Sequence, residues 1–254
     1  MIGLGNPVIN KPINADYSEK PMLKLITFPA AFDEPSASPF CVKAMCLLKA
    51  SGVDWIPKFT SDPRKAPNGK LPILIDGENT IADSEAIRAN LEDTYACDFD
   101  KGLTPEQRAT SRAVIRMVEE HLYFVMVGNR WLNDDNWPLV KQAFFGEMPK
   151  PLGGLVAHIA RKKTRAQVVA QGTGRHSVQV QTERARQDIE AIKAMLGDKP
   201  YLFGDTPTAA DMSVVPIIRG ISTSPTQTGL RDLVTNDPTL MTYLERGRDT
   251  LYPT

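Results

Sequence analysis

One change of rhythm constrains the fold of this chain more than any other feature. Before about residue 100, short apolar runs alternate with helix-like segments; after it, every patterned stretch repeats at helical spacing. Residues 22–28 (MLKLITF) are apolar and β-prone and read as a buried strand. Residues 29–37 (PAAFDEPSA) form a loop by composition. Ser38 and Pro39 then open a helix as N-cap and first helical residue, and Gly52 ends it. Phe40, Ala44, Leu47 and Leu48 supply its apolar face. Residues 53–59 predict a second strand, placed at a sheet edge by Pro57. Residues 61–69 are turn-rich, 71–75 predict a third strand, and Asp76-Gly77 turns the chain into a fourth at 80–82. Residues 83–95 predict a helix, with Ile87 and Leu91 one turn apart.

Residues 96–104 read as a linker ending in Thr104-Pro105, a second cap-plus-proline start. The following half predicts helices over 105–131, 138–145, 152–169, 182–196, 208–218 and 240–248. An α/β half followed by an all-α half implies two domains. The expected division is an extension at 1–21, an α/β domain at 22–97 and an all-helical domain at 104–254.

Composition narrows the function classes. Thirty basic and thirty acidic residues balance to zero, so no electrostatic case exists for nucleic acid or an anionic membrane. Three cysteines, Cys41, Cys46 and Cys97, make no disulfide framework and suit a reducing compartment. No spacing joins them to His121, His158 or His176 as a zinc site, so no metal is expected. The first twenty residues lack the apolar run of a secretory signal, and no stretch has the ~20 apolar residues of a spanning helix. The expectation is a cytoplasmic protein without an integral membrane segment.

Three short segments carry chemistry. At Ser38-Pro39-Phe40-Cys41, a hydroxyl and a thiol sit at a helix N-terminus, where unpaired N–H groups and the helix dipole stabilise an anion such as a thiolate. The structural alternative is a plain cap serine with a buried cysteine one turn on. At Lys70-Leu71-Pro72, a proline just before a strand can be cis, and Lys70 can meet a carboxylate; the alternative is an edge strand starting with proline. At Asp83-Ser84, helix N–H groups face any carboxylate and Asp83 can accept from an amine; the alternative is simple capping. Ser36 in the preceding loop rivals Ser38, and Cys41 is a second rival.

Together these segments resemble the ordered pattern of glutathione transferases: a helix-start Ser-Pro, then a Leu-Pro before a strand, then an acidic-Ser pair. Residues 201–216 (YLFGDTPTAADMSVVP) are similar to the stretch through the buried helix of that superfamily, with Thr208 to Asp211 as its capping box. A narrower likeness lies in residues 38–43 (SPFCVK), 66–71 (APNGKL), 119–123 (EEHLY), Arg130-Trp131 and 171–177 (QGTGRHS). These resemble the metaxin and failed-axon-connections branch, as a soluble member. The resemblance implies a thioredoxin-like N-terminal domain, an all-α C-terminal domain, glutathione as co-substrate, a small-molecule electrophile and a homodimer.

Carried over by position, the resemblance implies that Leu71 pairs with the cysteinyl backbone of glutathione beside Pro72. Asp83 and Ser84 hold the γ-glutamyl end, Lys70 approaches the glycyl carboxylate, and Ser38 touches the sulfur. Arg112, Arg116 and His121 are the candidates for the electrophile pocket, with an interdomain or subunit salt-bridge network as the structural alternative. The implied reaction is attack of a glutathione thiolate on the electrophile. Two alternatives are a non-catalytic binding or scaffold protein of the metaxin type, and glutathione-dependent thiol–disulfide exchange through Cys41.

Overall fold

The computed structural model describes residues 22–149 and 151–253; the extension expected at 1–21 lies outside the described residues. The N-terminal half builds β1 (Leu23–Thr27), α1 (Pro39–Ser51), β2 (Trp55–Phe59), β3 (Ile73–Asp76), β4 (Asn79–Ala82) and α2 (Ser84–Tyr95). The sheet order is β2-β1-β3-β4. β1 pairs parallel with β2 and antiparallel with β3, and β3 pairs antiparallel with β4. β2 is the edge strand, where Pro57 costs no ladder bond on its outer side. Leu23 and Leu25 point into the core shared with α1. This is the thioredoxin-like domain, with a mixed four-stranded sheet.

The helical half comprises α3 (Pro105–Met117), α4 (Tyr123–Leu132), α5 (Trp137–Phe145), α6 (Leu152–Gln171), α7 (Val178–Leu196), α8 (Ala209–Ser222), α9 (Gly229–Thr235) and α10 (Pro238–Leu251). The single helix expected over 105–131 is interrupted by a π-type turn at Val118–Leu122, which separates α3 from α4. That turn swings Glu119 inward to bond Lys43 at 2.5 Å and Ser213 at 3.0 Å, a tertiary demand no local pattern announces. α7 starts earlier than the expected residue 182, because Ser177 caps Val180 N–H across a stretch whose Val-Gln-Val alternation mimics a strand. α9 was not expected; its seven residues carry too few apolar positions to show a period.

α8 is buried along its whole length and forms the hub of the helical half. Asp211 organises its start, accepting from Thr208 N–H (2.8 Å), Thr208 Oγ1 (2.9 Å), Leu202 N–H (3.1 Å) and Tyr243 OH (2.9 Å). α8 packs against α1, so the two halves share one apolar core. Lys43 of α1 is buried there between Glu85 and Glu119, and Arg116 closes the network on both carboxylates. Burial pushes the Glu85 carboxyl up, but the neighbouring Lys43, Arg88 and Arg116 outweigh it and hold it below the usual range.

Candidate functional site

The start of α1 is shaped by the loop before it. β1 ends at Thr27, and the 29–37 loop folds into a tight turn closed by Ala31 and Glu34 backbone bonds, both 3.1 Å. Phe32 and Asp33 take left-handed backbone conformations in that turn (φ 57° and 56°), an unfavourable geometry for residues with a Cβ. Tertiary contacts hold it in place. Glu34 accepts from Arg219 Nε at 2.6 Å and Tyr252 OH at 2.7 Å, and the Arg130 guanidinium lies 4.6 Å from the Phe32 ring centre. Burial raises the Glu34 carboxyl, and Arg219 opposes the rise.

The loop delivers Ser38 to the N-cap of α1, in extended conformation, with Val42 N–H bonded to its carbonyl at 3.0 Å. The Ser38 hydroxyl makes no capping bond; it reaches toward the Cys41 sulfur instead. Ser36 turns inward. It is buried, and its oxygen accepts from Thr27 Oγ1 at 3.1 Å and Ser38 N–H at 3.4 Å. Cys41 is fully buried. Burial raises its thiol pKa against the opposing hydrogen bonds of Phe28, Thr27, Ser38 and Ser36, so it stays protonated at neutral pH.

Cys41 packs with Ala66, Leu71 and Ile73, which brings the first turn of α1 against the start of β3. The Leu71–Pro72 bond is cis. Pro72 C=O accepts from Asp83 N–H at 3.2 Å, tying the start of α2 to the same place. Asp83 is the N-cap of α2, with φ 91° and its carboxylate on Glu85 N–H at 2.8 Å. Ser84 is buried as the first residue of α2. Lys70 stands exposed on the turn before Leu71, with no ion pair among the described residues. Ser38, Leu71, Pro72, Asp83 and Ser84 are thus gathered around one end of the sheet, with Lys70 beside them.

Arg112, Arg116 and His121 are drawn into ion pairs instead. Arg112 bonds Glu85 at 2.8 Å, Arg116 bonds Glu119 and Glu120, and His121 Nδ1 lies 2.5 Å from Asp188. Arg112 and Arg116 reach across to Glu85 and form an interdomain network, whereas the His121 pair lies within the helical half. The wall facing the start of α1 is aromatic, and sequence reasoning missed it. Tyr123 of α4 meets Phe40 at 4.7 Å between ring centres. Phe144 of α5 meets Phe28 at 6.2 Å, Phe32 at 6.1 Å and Trp131 at 5.0 Å. The Tyr123 hydroxyl has no hydrogen-bond partner among the described residues, and burial pushes its pKa up to about 12, with Arg130 opposing and Cys41 adding to the rise. Only the clustering of aromatics in 123–145 hinted at this wall.

A glutathione S-transferase N-terminal domain model matches residues 39–136, and a glutathione S-transferase C-terminal domain model matches residues 185–247. An isoprene-epoxide–glutathione S-transferase from Rhodococcus sp. (strain AD45) is 32% identical over 238 residues, covering 89% of this chain and 98% of that protein. The Drosophila melanogaster protein Failed axon connections is 29% identical, with 92% of this chain aligned to 59% of the relative. Mouse metaxin-1 is 27% identical over 61% of this chain and 51% of its own length. Among solved structures, a Ceriporiopsis subvermispora glutathione S-transferase in complex with glutathione superposes with a TM-score of 0.60 at 18% identity, covering 92% of this chain and 99% of that one. With the architecture, the domain matches and a full-length relative in agreement, this chain belongs to the glutathione S-transferase family.

Proposed function

We propose that this chain is a glutathione transferase that joins the glutathione sulfur to a small electrophile, with a small epoxide as the class favoured by its bacterial relative. The observation that carries this reading is the Ser38 hydroxyl, left unused as a cap at the positive end of α1 and gathered with Leu71, cis-Pro72, Asp83 and Ser84. In this reading the tripeptide lies along the start of β3 like an added strand, pairing with Leu71. Asp83 and Ser84 take the γ-glutamyl end and Lys70 the glycyl carboxylate. Ser38 donates to the sulfur, and the N–H groups of α1 favour its thiolate.

The thiolate attacks an epoxide carbon; a C–S bond forms, the C–O bond breaks, and the freed oxygen takes a proton. Tyr123 holds its proton at neutral pH and has no competing partner, so it donates to that oxygen and is reprotonated by water. The aromatic wall of Phe28, Phe32 and Phe144 receives the apolar part of the electrophile. Titration calorimetry with glutathione, followed by mass detection of the conjugate with a small epoxide, tests the reading. Heat of binding and a conjugate support it; the absence of both overturns it.

A non-catalytic binding role of the metaxin type is the second reading. The packing of Phe144 directly on Phe28 and Phe32, which fills space an electrophile needs, favours it. Exchange through Cys41 gains no support, because that thiol is buried and protonated. Three free cysteines fit a cytoplasmic setting. Among the described residues no helix is long and apolar enough to cross a membrane. The expected homodimer is checked by a sedimentation mass of about twice the 28.0 kDa chain.

A further inference from the structure

Residues 137–184 lie between the two matched domain models and outside both. Their main element, α6, has its amphipathicity reversed. The side it buries carries Gly153, Ala157 and Val168, while Leu152, Leu155 and Ile159 are 51%, 59% and 56% exposed. A helix packed only for its own fold hides its large apolar residues and shows its small ones. Leu152, Leu155 and Ile159 recur at spacings of three and four, so they share the solvent side. Lys162 and Lys163 continue the same stripe, and Arg165 flanks it.

The charge pattern is as one-sided as the apolar one. α6 holds four basic residues and no acidic one, in a chain whose charges cancel overall. Arg161 is used internally, on Asp134 at 2.7 Å and on the Trp131 and Leu132 carbonyls. Lys162, Lys163 and Arg165 are exposed, with no ion pair among the described residues. Pairing with a second copy through this face supplies no opposing charge, since α6 has none to offer. Nucleic acid meets the cations but leaves the leucines without a role. A lipid surface with anionic headgroups satisfies both halves at once.

We propose that the outward face of α6 is a docking surface for an anionic membrane, with Leu152, Leu155 and Ile159 entering the headgroup–acyl boundary and Lys162, Lys163 and Arg165 meeting lipid phosphates. The contact is peripheral and reversible, because three apolar side chains and three cations fall far short of an insertion. It holds a transferase, or a binding protein of the same fold, where apolar electrophiles partition. Net neutrality does not argue against it, because the relevant field is that of one helix within a Debye length of the surface.

Vesicle co-sedimentation of the full chain tests the proposal, reading the bound fraction and not conjugation, so it is independent of the transferase reading. The chain is expected to bind vesicles of mixed phosphatidylcholine and phosphatidylglycerol at about 0.05 M salt and to leave them at about 0.5 M. It is expected to stay off pure phosphatidylcholine. Lys162→Glu/Lys163→Glu is expected to lower partitioning at least about tenfold. Leu155→Ser/Ile159→Ser is expected to lower it by about the same factor with the melting temperature unchanged. These positions are exposed, so the variants fold. The proposal is overturned if wild type ignores anionic vesicles or if the charge-reversed variant binds equally well. It is also overturned if Leu155→Glu halves the sedimentation mass, which would show the face covered by a second copy.

Discussion

The Ser38 hydroxyl is not spent on capping α1 and the Tyr123 hydroxyl has no hydrogen-bond partner among the described residues, and each therefore carries a sharp expectation. On the proposed reading, Ser38→Ala removes the donor to the glutathione sulfur but leaves Leu71, Asp83 and Ser84 in place. Turnover is expected to fall by about two orders of magnitude, with the glutathione dissociation constant nearly unchanged in calorimetry. Tyr123→Phe separates two electrophile classes. Opening an epoxide needs a proton on the departing oxygen, whereas displacement of chloride from a nitroaromatic does not. The variant is expected to slow the epoxide reaction by about 100-fold and leave the chloride displacement close to wild type in parallel steady-state assays. Equal losses on both substrates would assign Tyr123 a packing role. Ser36 and Ser38 look interchangeable in sequence; the structure separates them, because the Ser36 oxygen is spent on Thr27 and the Ser38 amide.

Among the elements, α8 and the π-type turn between α3 and α4 concentrate the polar groups that hold the core together. Asp211 satisfies the first turn of α8, a loop amide and the Tyr243 phenol with one carboxylate. Asp211→Ala strands several buried donors and is expected to cost about 3 kcal/mol in chemical denaturation. Lys43→Met removes the buried cation between Glu85 and Glu119 and leaves them only the more exposed Arg112 and Arg116, and is expected to cost about 3 kcal/mol. Adding Glu119→Gln to it should restore part of that loss, which a double-mutant cycle measures. The helix starts at Ser38, Thr104 and Thr208 could be read directly, because a proline at the first helical position and a capping box are local chemistry, although the Ser38 hydroxyl itself makes no cap bond. The π-type turn could not, since its cause is Lys43, 76 residues away.

At the scale of the whole molecule, the two halves are joined by charge as well as by apolar contact, and that joint has a pH dependence. The Glu85 carboxyl is held below its ordinary value by Lys43, Arg88 and Arg116 against the desolvation that raises it. A depressed carboxylate adds stability above its unfolded pKa of about 4.3 and loses it as pH falls through the folded value. The stability gap between wild type and Glu85→Gln is therefore expected to be full at neutral pH and to close below about pH 4 in thermal melts. A gap that stays constant across that range would show that the ion pair is not what Glu85 contributes.

Local chemistry determined much of this protein without help from the rest of the chain. The alternation of apolar runs, the proline-opened helices, the edge proline of β2 and the three segments that resemble the glutathione-transferase pattern all act within a few residues, so they are written in the sequence. What only the tertiary structure decided depends on residues far apart. The destination of Arg112 and Arg116 was set by Glu85 and Glu119, the inward turn of Ser36 by Thr27, and the left-handed Phe32 by Arg130. The aromatic wall and the reversed face of α6 belong to the same class. Helical periodicity says which residues lie together on one side, but only packing against α4 says which side is left to solvent.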